Sequence, residues 1–519
     1  MRKIFTIFAS FVCAAQVMAV STKDVCGQFD GMLNIGGQNY PNKSVYLLPG
    51  TVENTLTFVL PDFTYGANGK LGNIVLPNIP MSESGQLTLE GATLYLDSIN
   101  ERAIITVLNG LEDAGTVYNS VVSHDEAQVL LSIEAPQSLP EAILVLFAGQ
   151  AVRSNNYELP NGGFEGAWTN NEPQGWHSFG TATGLMADFV TDNTFQFVQD
   201  PQVRPGSTGE QSALLSSTIL FGVNANGNCT NGQINAGSMT ADDAANNYNF
   251  SDPANNGFNT PFNGRPDSIV FWAKYQPADK NPANAVNKAR MRSVITTNAR
   301  IQDPENEDYS AVKIADAVIN YAATADMGWQ RIAVPFSYYP ANLDKEPAYI
   351  LTTFTTNQVP GGGSSYNKGS NLNTNYVLDS VYIDDVELVY NKTLNSFQID
   401  AEQLVFNQNI ATAAGTYCDS CADVNAYAQG WSAQTFIGFD AVHKCIHVYV
   451  IADDYAQSGA YQVYRVEFSD SQTGDLDPLN QGVENVLLNT SNSEKVLLNG
   501  QLFIRRGDVW YNTTGIRIK

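Results

Sequence analysis

The stretch that decides the fold is VYIDDVEL, residues 381–388, together with NGGFE at residues 161–165. Between them, short apolar runs broken by Gly, Asn and Pro predict many strands and few helices. The first and last strands of a β-sandwich often lie side by side, so we expect Glu165 to lie near Asp384 and Asp385. Carboxylates that converge repel one another unless a cation joins them. The alternative is that all three are solvated residues at strand ends.

The order of motifs between residues 157 and 391 resembles a known family. The pairing of NGGFE and PQGW with YIDDVEL is similar to the galactose-binding-like β-sandwiches common among carbohydrate-binding modules. Further motifs narrow the resemblance to the carbohydrate metabolism domain of bacterial surface proteins: PFNGRP (261–266), SIVFWAKY (268–275), GW (328–329), VPFSY (334–338) and GS (369–370). The resemblance implies a jelly roll with a structural Ca²⁺ held by Glu165, Asp384 and Asp385, since Ca²⁺ accepts six to eight oxygen ligands. It implies an architecture more firmly than an activity.

Residues 27–150 are predicted to form a first all-β unit. Apolar runs separated by turn residues indicate its strands, and the runs at 103–108 and 142–147 are apolar enough for buried strands. The order FxGxL (29–33), LTFVLPDF (56–63) and LGNIVLPNI (71–79) resembles the small calycin-like β-barrels of exported bacterial proteins. A barrel of about eight strands holds one small ligand or is filled by side chains. Nothing in the sequence marks a pocket, so we favour a filled scaffold.

The C-terminal part contains two further predicted units. Residues 393–469 show only strand patterns and are predicted to form a small β-sandwich, followed by a polar linker from Asp470 to Gly482. Residues 483–519 resemble the C-terminal sorting domains of type IX secretion, through NGQLFI (499–504) and RRGDVWYN (505–512). The resemblance implies contact with a secretion machinery. The alternative is a purely structural final hairpin.

Composition and the N-terminus predict an exported protein. Residues 1–19 have a charged start, an apolar run and a small-residue cleavage site, the pattern of a secretory signal. No later stretch reaches the roughly twenty apolar residues of a membrane span. With 27 basic and 52 acidic residues the net charge is −25, which argues against nucleic acid as a partner. We expect the outer-membrane surface or the extracellular space, with the periplasm as the fallback.

Cysteine and histidine residues suggest two competing interpretations. Export makes disulfides the default, and five cysteines follow the signal: Cys26, Cys229, Cys418, Cys421 and Cys445. Strand alternation places His443, Cys445 and His447 on one face, so two of them and the CxxC pair at 418–421 could bind zinc. Residues i and i+4 of a strand lie about 13 Å apart, so all three cannot share one ion. We favour a disulfide between Cys445 and either Cys418 or Cys421.

A candidate ligand-binding face lies on the stretch SIVFWAKY, residues 268–275. Alternation places Trp272 and Lys274 on the face opposite to Phe271 and Tyr275. Lysine is rarely buried without a partner, so the Lys274 face should be the wetter one. An exposed indole beside an amine suits a neutral glycan, and Arg331 is a further polar candidate. The alternative is that Trp272 fills the core, which a single bulge would bring about.

The sequence favours binding over catalysis. It contains no GxSxG, HExxH or phosphate-binding motif. Glu165 with Asp384 or Asp385 could imitate a glycosidase pair, but the calcium corner accounts for them with fewer assumptions. We therefore predict a non-catalytic glycan-binding surface protein, with a glycoside hydrolase or a structural adhesive protein as alternatives. The Gly- and Asn-rich loop at 222–260 is long enough to be either functional or mobile.

Overall fold

The computed structural model describes residues 20–64, 70–96, 101–135, 141–153, 156–191, 197–220, 223–278, 288–361, 365–367, 376–418 and 423–477, and the backbone of 493–498, 501–506 and 509–512. The predicted signal segment, 1–19, lies outside these residues. Strands hold 52% of the residues and helices 5%, which confirms the predicted multidomain all-β fold. The helices of the described part are short: α1 (Thr22–Val25), α2 (Ala187–Thr191), α3 (Tyr455–Ser458) and the 3₁₀ helices Phe179–Thr181 and Pro340–Asn342.

The N-terminal unit is built around one antiparallel sheet of nine strands that forms a nearly closed barrel. Its described strands are β1 (Gly27–Ile35), β2 (Gln38–Pro49), β3 (Thr55–Thr64), β4 (Lys70–Pro80), β5 (Leu89–Leu96), β6 (Glu101–Val107), β7 (Asn109–Asp113), β8 (Thr116–Asn119), β9 (Val121–Val122), β10 (Glu126–Glu134) and β11 (Ile143–Ala151). The order is β4-β3-β2-β1-β11-β10-β6-β5, with β9 on β10 and β7 paired with β8 apart from the sheet. The edge strands are β4 and β5. At the end of β4 the Pro80 carbonyl accepts a hydrogen bond of 3.1 Å from the N–H of Thr88, which immediately precedes β5.

Apolar side chains fill the barrel. On β2, Val45 and Leu47 face the interior cluster that also holds Phe58, whereas Tyr46 and Leu48 face outward. This division follows from the two-residue period of a strand. The filled interior agrees with a scaffold, and the outward apolar residues of β2 indicate that another part of the chain packs on the barrel wall.

The central unit contains two five-stranded antiparallel sheets and several smaller ones. Its described strands are β12 (Trp168–Thr169), β13 (Glu172–Pro173), β14 (Phe197–Asp200), β15 (Ser212–Ser216), β16 (Thr218–Leu220), β17 (Val223–Ala225), β18 (Asn228–Thr230), β19 (Gln233–Ala236), β20 (Asn247–Ser251), β21 (Ser268–Gln276), β22 (Ala289–Thr296), β23 (Ile301–Asp303), β24 (Lys313–Tyr321), β25 (Gln330–Pro335), β26 (Ser337–Tyr338), β27 (Tyr349–Thr355), β28 (Ser365–Asn367), β29 (Tyr376–Leu378) and β30 (Ser380–Val389). The first sheet has the order β14-β15-β30-β21-β25 and the second β18-β27-β22-β24-β26. A three-stranded sheet, β19-β20-β23, is formed largely by the Asn-rich segment.

The two large sheets enclose one core, and the two ends of the unit meet beside it. Phe271 of the first sheet packs against Phe354 of the second, with ring centroids 5.1 Å apart. The Val386 N–H donates to the Gly162 carbonyl at 2.9 Å, and the Tyr390 hydroxyl donates to the Tyr157 carbonyl at 2.6 Å. The termini of the unit are therefore fixed to each other.

The C-terminal sandwich packs against both preceding units. Its strands are β31 (Leu394–Ile399), β32 (Glu402–Gln403), β33 (Ile410–Thr412), β34 (Val424–Ala428), β35 (Gln434–Asp440), β36 (Cys445–Ile451) and β37 (Tyr461–Glu467). They form the sheets β33-β37-β36-β35 and β32-β31-β34. Tyr449 and Ile451 of β36 cluster with Tyr46 and Leu48 on the barrel wall. On the side of the central unit, the Trp431 N–H donates to Asp267 at 2.9 Å.

The segment after the sandwich is not a free linker where the structure describes it. The Gln472 N–H donates to the His443 carbonyl at 2.8 Å, and the Asp477 N–H donates to the Thr51 carbonyl of the barrel at 2.6 Å. Residues 470–477 therefore pack on the protein, contrary to the linker prediction. The tail strands are β38 (Ser493–Leu498), β39 (Gln501–Arg506) and β40 (Val509–Asn512), which pair antiparallel in sequence order.

Candidate functional site

The predicted calcium corner lies at a β-bulge in β30. Asp385 has a φ of +45°, and the register between β30 and β21 shifts between Val270 and Trp272. Asp384 is fully buried; its Oδ2 accepts the Arg204 backbone N–H at 2.9 Å, and its Oδ1 has no partner among the described residues. Burial raises the pKa of Asp384 to about 6, because desolvation disfavours the charged carboxylate.

Asp385 and Glu165 meet at the same corner. A Cβ placed on Gly163 would lie 3.4 Å from Asp385 Oδ1 and 3.7 Å from Glu165 Cγ. Glu165 Oε1 accepts two backbone N–H groups of the loop before β15, at 3.0 and 3.1 Å. Arg204 donates from its guanidinium to Asp385 Oδ2. As they stand, Glu165, Asp384 and Asp385 do not form a group with one carboxylate oxygen from each within 4.8 Å of the others. The Arg204 guanidinium also competes with a metal for Asp385.

The predicted ligand face adjoins this corner. As alternation predicts, Phe271 and its core-facing neighbours are buried, while Trp272 and Lys274 on the opposite face are half-buried. The Arg204 guanidinium lies 5.2 Å from the centroid of the Trp272 ring. Lys274 Nζ donates to Gln202 Oε1 at 2.9 Å. One face of the indole is thus already covered by a side chain of the protein.

Arg331 lies beside Trp272 on the neighbouring strand, β25. Its Nη2 is 3.7 Å from the Glu387 carboxylate, and both side chains are more than half exposed. An exposed pair of this kind contributes little to stability and leaves both groups accessible to a ligand.

The predicted disulfide from Cys445 is not formed. Cys445 is buried as a free thiol on the face of β36 that packs against the barrel, with its Sγ 3.5 Å from His447 Nε2. Tyr417, the neighbour of Cys418, packs in the opposite cluster with Ile446. Because Cys445 and Ile446 face opposite sides of β36, Cys445 and the cluster of Tyr417 lie on opposite sides of the sheet. Cys421 lies outside the described residues.

A cavity of about 250 Å³ lies on the outer face of the second sheet, under the β19-β20-β23 sheet. Its floor contains a row of polar side chains across three adjacent strands. Asn228 of β18 pairs with Thr355 of β27, which pairs with Arg290 of β22. Asn249 of β20 and Asp303 of β23 pair in the covering sheet and also line the cavity. The Asn-rich segment supplies most of one wall.

The cavity is lined by amide and apolar side chains. Six asparagines line it: Asn226, Asn228, Asn235, Asn247, Asn249 and Asn357. The apolar lining includes Phe179, Met186 and Ile234. Asn228 and Asn249 are 9% and 4% exposed, and the Oδ1 atom of each has no partner among the described residues. Buried polar groups are usually paired, so two unpaired oxygens among the lining residues are a departure from the usual pattern.

The charges at the cavity cancel. Arg290 donates from both Nη atoms to Asp303, at 2.7 and 2.8 Å, and Asp303 is 2% exposed. Behind this pair, Arg292 also donates to Asp303, at 3.1 Å. Burial opposes ionisation of Asp303, but its hydrogen bonds and the arginine charges outweigh burial and hold its pKa below the ordinary value. Asp303 therefore remains ionised and fixed in place.

The sequence alone does not identify the cavity residues. Two features of the sequence indicate a polar site in this part of the chain. One is the length and Asn content of the segment at 222–260, and the other is the pair of arginines two residues apart in the apolar strand β22. Arg290 and Asp303 come together only because β22 and β23 belong to different sheets that face each other.

Comparisons with known proteins give weak structural neighbours. No family model matches the chain, and no curated protein matches it. One similar structure is a protein of Bacteroides thetaiotaomicron VPI-5482 classed provisionally as a glycoside hydrolase, with 15% identity over 65% of this chain and 79% of that chain, and a TM-score of 0.30. Another is the glycoside hydrolase domain of Endo-D from Streptococcus pneumoniae R6, with 9% identity over 62% of this chain and 34% of that chain, and a TM-score of 0.18. At these TM-scores neither similarity carries an argument about fold or function.

Proposed function

We propose that this protein binds a neutral sugar, without cleaving it, in the cavity on the second sheet of the central unit. The unpaired buried oxygens of Asn228 and Asn249 carry the proposal. An amide offers an acceptor and two donors, which suits the hydroxyls of a sugar ring. The apolar wall suits its C–H faces, and the neutral Arg290–Asp303 pair provides no net charge for an ionic ligand.

The volume favours one or two sugar rings rather than a long chain. The cavity holds about 250 Å³, below the roughly 300–1,000 Å³ of sites for drug-sized ligands. A chain end or a short oligosaccharide would fit a cavity of this size.

Binding is favoured over hydrolysis by the carboxylates present. Glycosidases that use a pair of carboxyls need one of them as a general acid with a raised pKa. Asp303 is the only carboxylate among the described lining residues, and its pKa is lowered by its arginine partners. The cavity therefore holds and orients a ligand without supplying a proton.

The proposal includes export to the cell surface, a structural calcium and contact with a secretion machinery. Export is supported by the composition of residues 1–19, and the secretion contact by the motifs at 499–512. None of the helices described is long and apolar enough to span a membrane. Placement outside the cell would give the cavity access to environmental glycans.

The test is a glycan array with the full chain, followed by calorimetry on the hits. Asn249→Ala and Asn228→Ala should each weaken binding about five- to ten-fold, since one hydrogen bond contributes about 1 kcal/mol. The matched control is Asn320→Ala. Asn320 is the next residue of the same cross-strand row, pairs with Arg290, and is exposed outside the cavity.

Three outcomes would contradict the assignment. Binding that survives both cavity variants but is lost in Trp272→Ala would place the ligand on the first sheet. Release of reducing sugar from a bound glycan would identify a hydrolase. If no neutral glycan binds at all, the structural and adhesive alternative is favoured.

A further inference from the structure

A buried cluster of three metal-ligand side chains lies at the junction between the barrel and the C-terminal sandwich. Asp440 ends β35, Cys445 begins β36, and His447 follows two residues later on the same face. They are 5%, 0% and 0% exposed. One ligand atom from each lies within 4.8 Å of the others, and no other such group of three occurs among the described residues.

Two distances in this cluster are those expected between ligands of one metal ion. His447 Nε2 lies 3.4 Å from Asp440 Oδ2 and 3.5 Å from Cys445 Sγ. An N–H···O hydrogen bond is usually about 2.7–3.2 Å long. Tetrahedral zinc with ordinary bond lengths separates a nitrogen from an oxygen ligand by about 3.4 Å, and from a sulfur ligand by about 3.6 Å. The two observed distances from His447 match the corresponding two edges of that tetrahedron.

We propose that Asp440, Cys445 and His447, all from the C-terminal sandwich, bind one zinc ion at the junction with the barrel. Cys445 loses its thiol proton to solvent on binding, and the thiolate with the Asp440 carboxylate neutralises the two charges of Zn²⁺. On the barrel side of the cluster, Thr51 Oγ1 lies 3.5 Å from His447 Nε2. Arg465, opposite His447 on β37, has its charge matched by Glu467 at 2.9 Å.

Residues around the cluster already hold the Asp440 carboxylate in position. Asn78 of the barrel donates from Nδ2 to Asp440 Oδ2 at 2.8 Å. His443 Nδ1 lies 2.7 Å from the same oxygen, and its Nε2 lies 3.3 Å from Asp475 Oδ2. Such outer partners orient metal ligands, and their loss typically weakens metal binding about 10–100-fold. The partners come from the barrel, the sandwich and the segment that follows it.

The experiment measures the metal content of the full chain, purified without metal-affinity chromatography and dialysed against trace zinc. We expect one zinc per chain. Replacement by cobalt should give the charge-transfer absorption of a cobalt–thiolate bond, which should be lost in Cys445→Ser. Cys229→Ser is the matched control, because Cys229 is an equally buried free thiol in the central core. It should keep both the metal and the spectrum.

Removal of zinc should lower the melting temperature of the wild type, and re-addition should restore it. His443→Gln should retain the cobalt–thiolate band with about 10–100-fold weaker affinity. This keeps the proposal testable if Cys445→Ser does not fold. Wild-type protein without bound zinc and without the cobalt–thiolate band would overturn the proposal. So would folded Cys445→Ser that keeps its full zinc content, since the metal would then be bound elsewhere.

Discussion

At the scale of single residues, Glu158 is a half-buried carboxylate that joins the two ends of the central unit. Its Oε1 and Oε2 accept the Leu388 backbone N–H of β30 at 3.1 and 3.0 Å, and Oε1 also accepts the N–H of Leu159 at 2.8 Å. Burial raises the pKa of Glu158 to about 7, against the lowering effect of those hydrogen bonds. The folded protein therefore binds this proton more tightly than the unfolded chain.

The replacement Glu158→Gln should make stability less dependent on pH. A folded-state pKa near 7, above the ordinary 4.5, means that the free energy of unfolding falls as pH rises between these two values. The glutamine keeps an acceptor and removes the charge. We expect the melting temperature of the variant minus that of the wild type to increase from pH 5 to pH 8.

The control for this measurement is Glu402→Gln on the exposed strand β32, which should follow the wild type at every pH. A Glu158→Gln difference that stays constant with pH would show that Glu158 is ionised in the folded protein throughout this range.

At the scale of elements, local alternation was predictable and contacts between strands were not. The sequence of β21 sufficed to place Phe271 in the core and Trp272 on the other face, because a strand has a period of two. The cavity floor, in contrast, joins Asn228, Arg290 and Thr355 from three strands far apart in the chain. The sequence of the Asn-rich segment, residues 222–260, indicates a loop because its strands are short and polar. Its partners, β23 and the second sheet, determine its structure.

The bulge in β30 is the element on which the calcium prediction depends. After removal of all divalent ions, calcium alone should raise the stability of the central unit, by about 2.7 kcal/mol at 100 times its dissociation constant. Asp384→Asn should abolish the increase, because it keeps an acceptor for the Arg204 N–H and removes the charge. Asp326→Asn, in an exposed loop, is the control. A melting temperature indifferent to calcium would mean that Arg204 alone neutralises the corner.

At the scale of the whole molecule, the C-terminal sandwich connects the other two units. Towards the barrel it contributes Tyr455, whose hydroxyl donates to the Leu47 carbonyl at 2.7 Å. Towards the central unit, Asp453 accepts the Arg265 backbone N–H at 2.7 Å. The outward Tyr46 and Leu48 of the barrel were unexplained by a barrel alone and find their partners here. The sequence periodicity of either unit could not have revealed this contact. Each unit taken alone shows only the ordinary alternation of a strand with two different faces.

The barrel and the sandwich should therefore unfold together. Tyr449 is fully buried between them, with its hydroxyl 3.0 Å from Thr57 Oγ1 of the barrel. Tyr449→Ala removes a large aromatic side chain and should cost about 3–5 kcal/mol, as other buried aromatic truncations do. The space left by this truncation borders both units. Hydrogen exchange measured by mass spectrometry should therefore accelerate in barrel strands β2 and β3 as well as in β36. The control is Phe354→Ala, an equally buried ring in the central core, which should accelerate exchange chiefly in the two central sheets. If Tyr449→Ala leaves the barrel peptides protected as in the wild type, the two units are independent, and the contact between them is only a docking of separately stable domains.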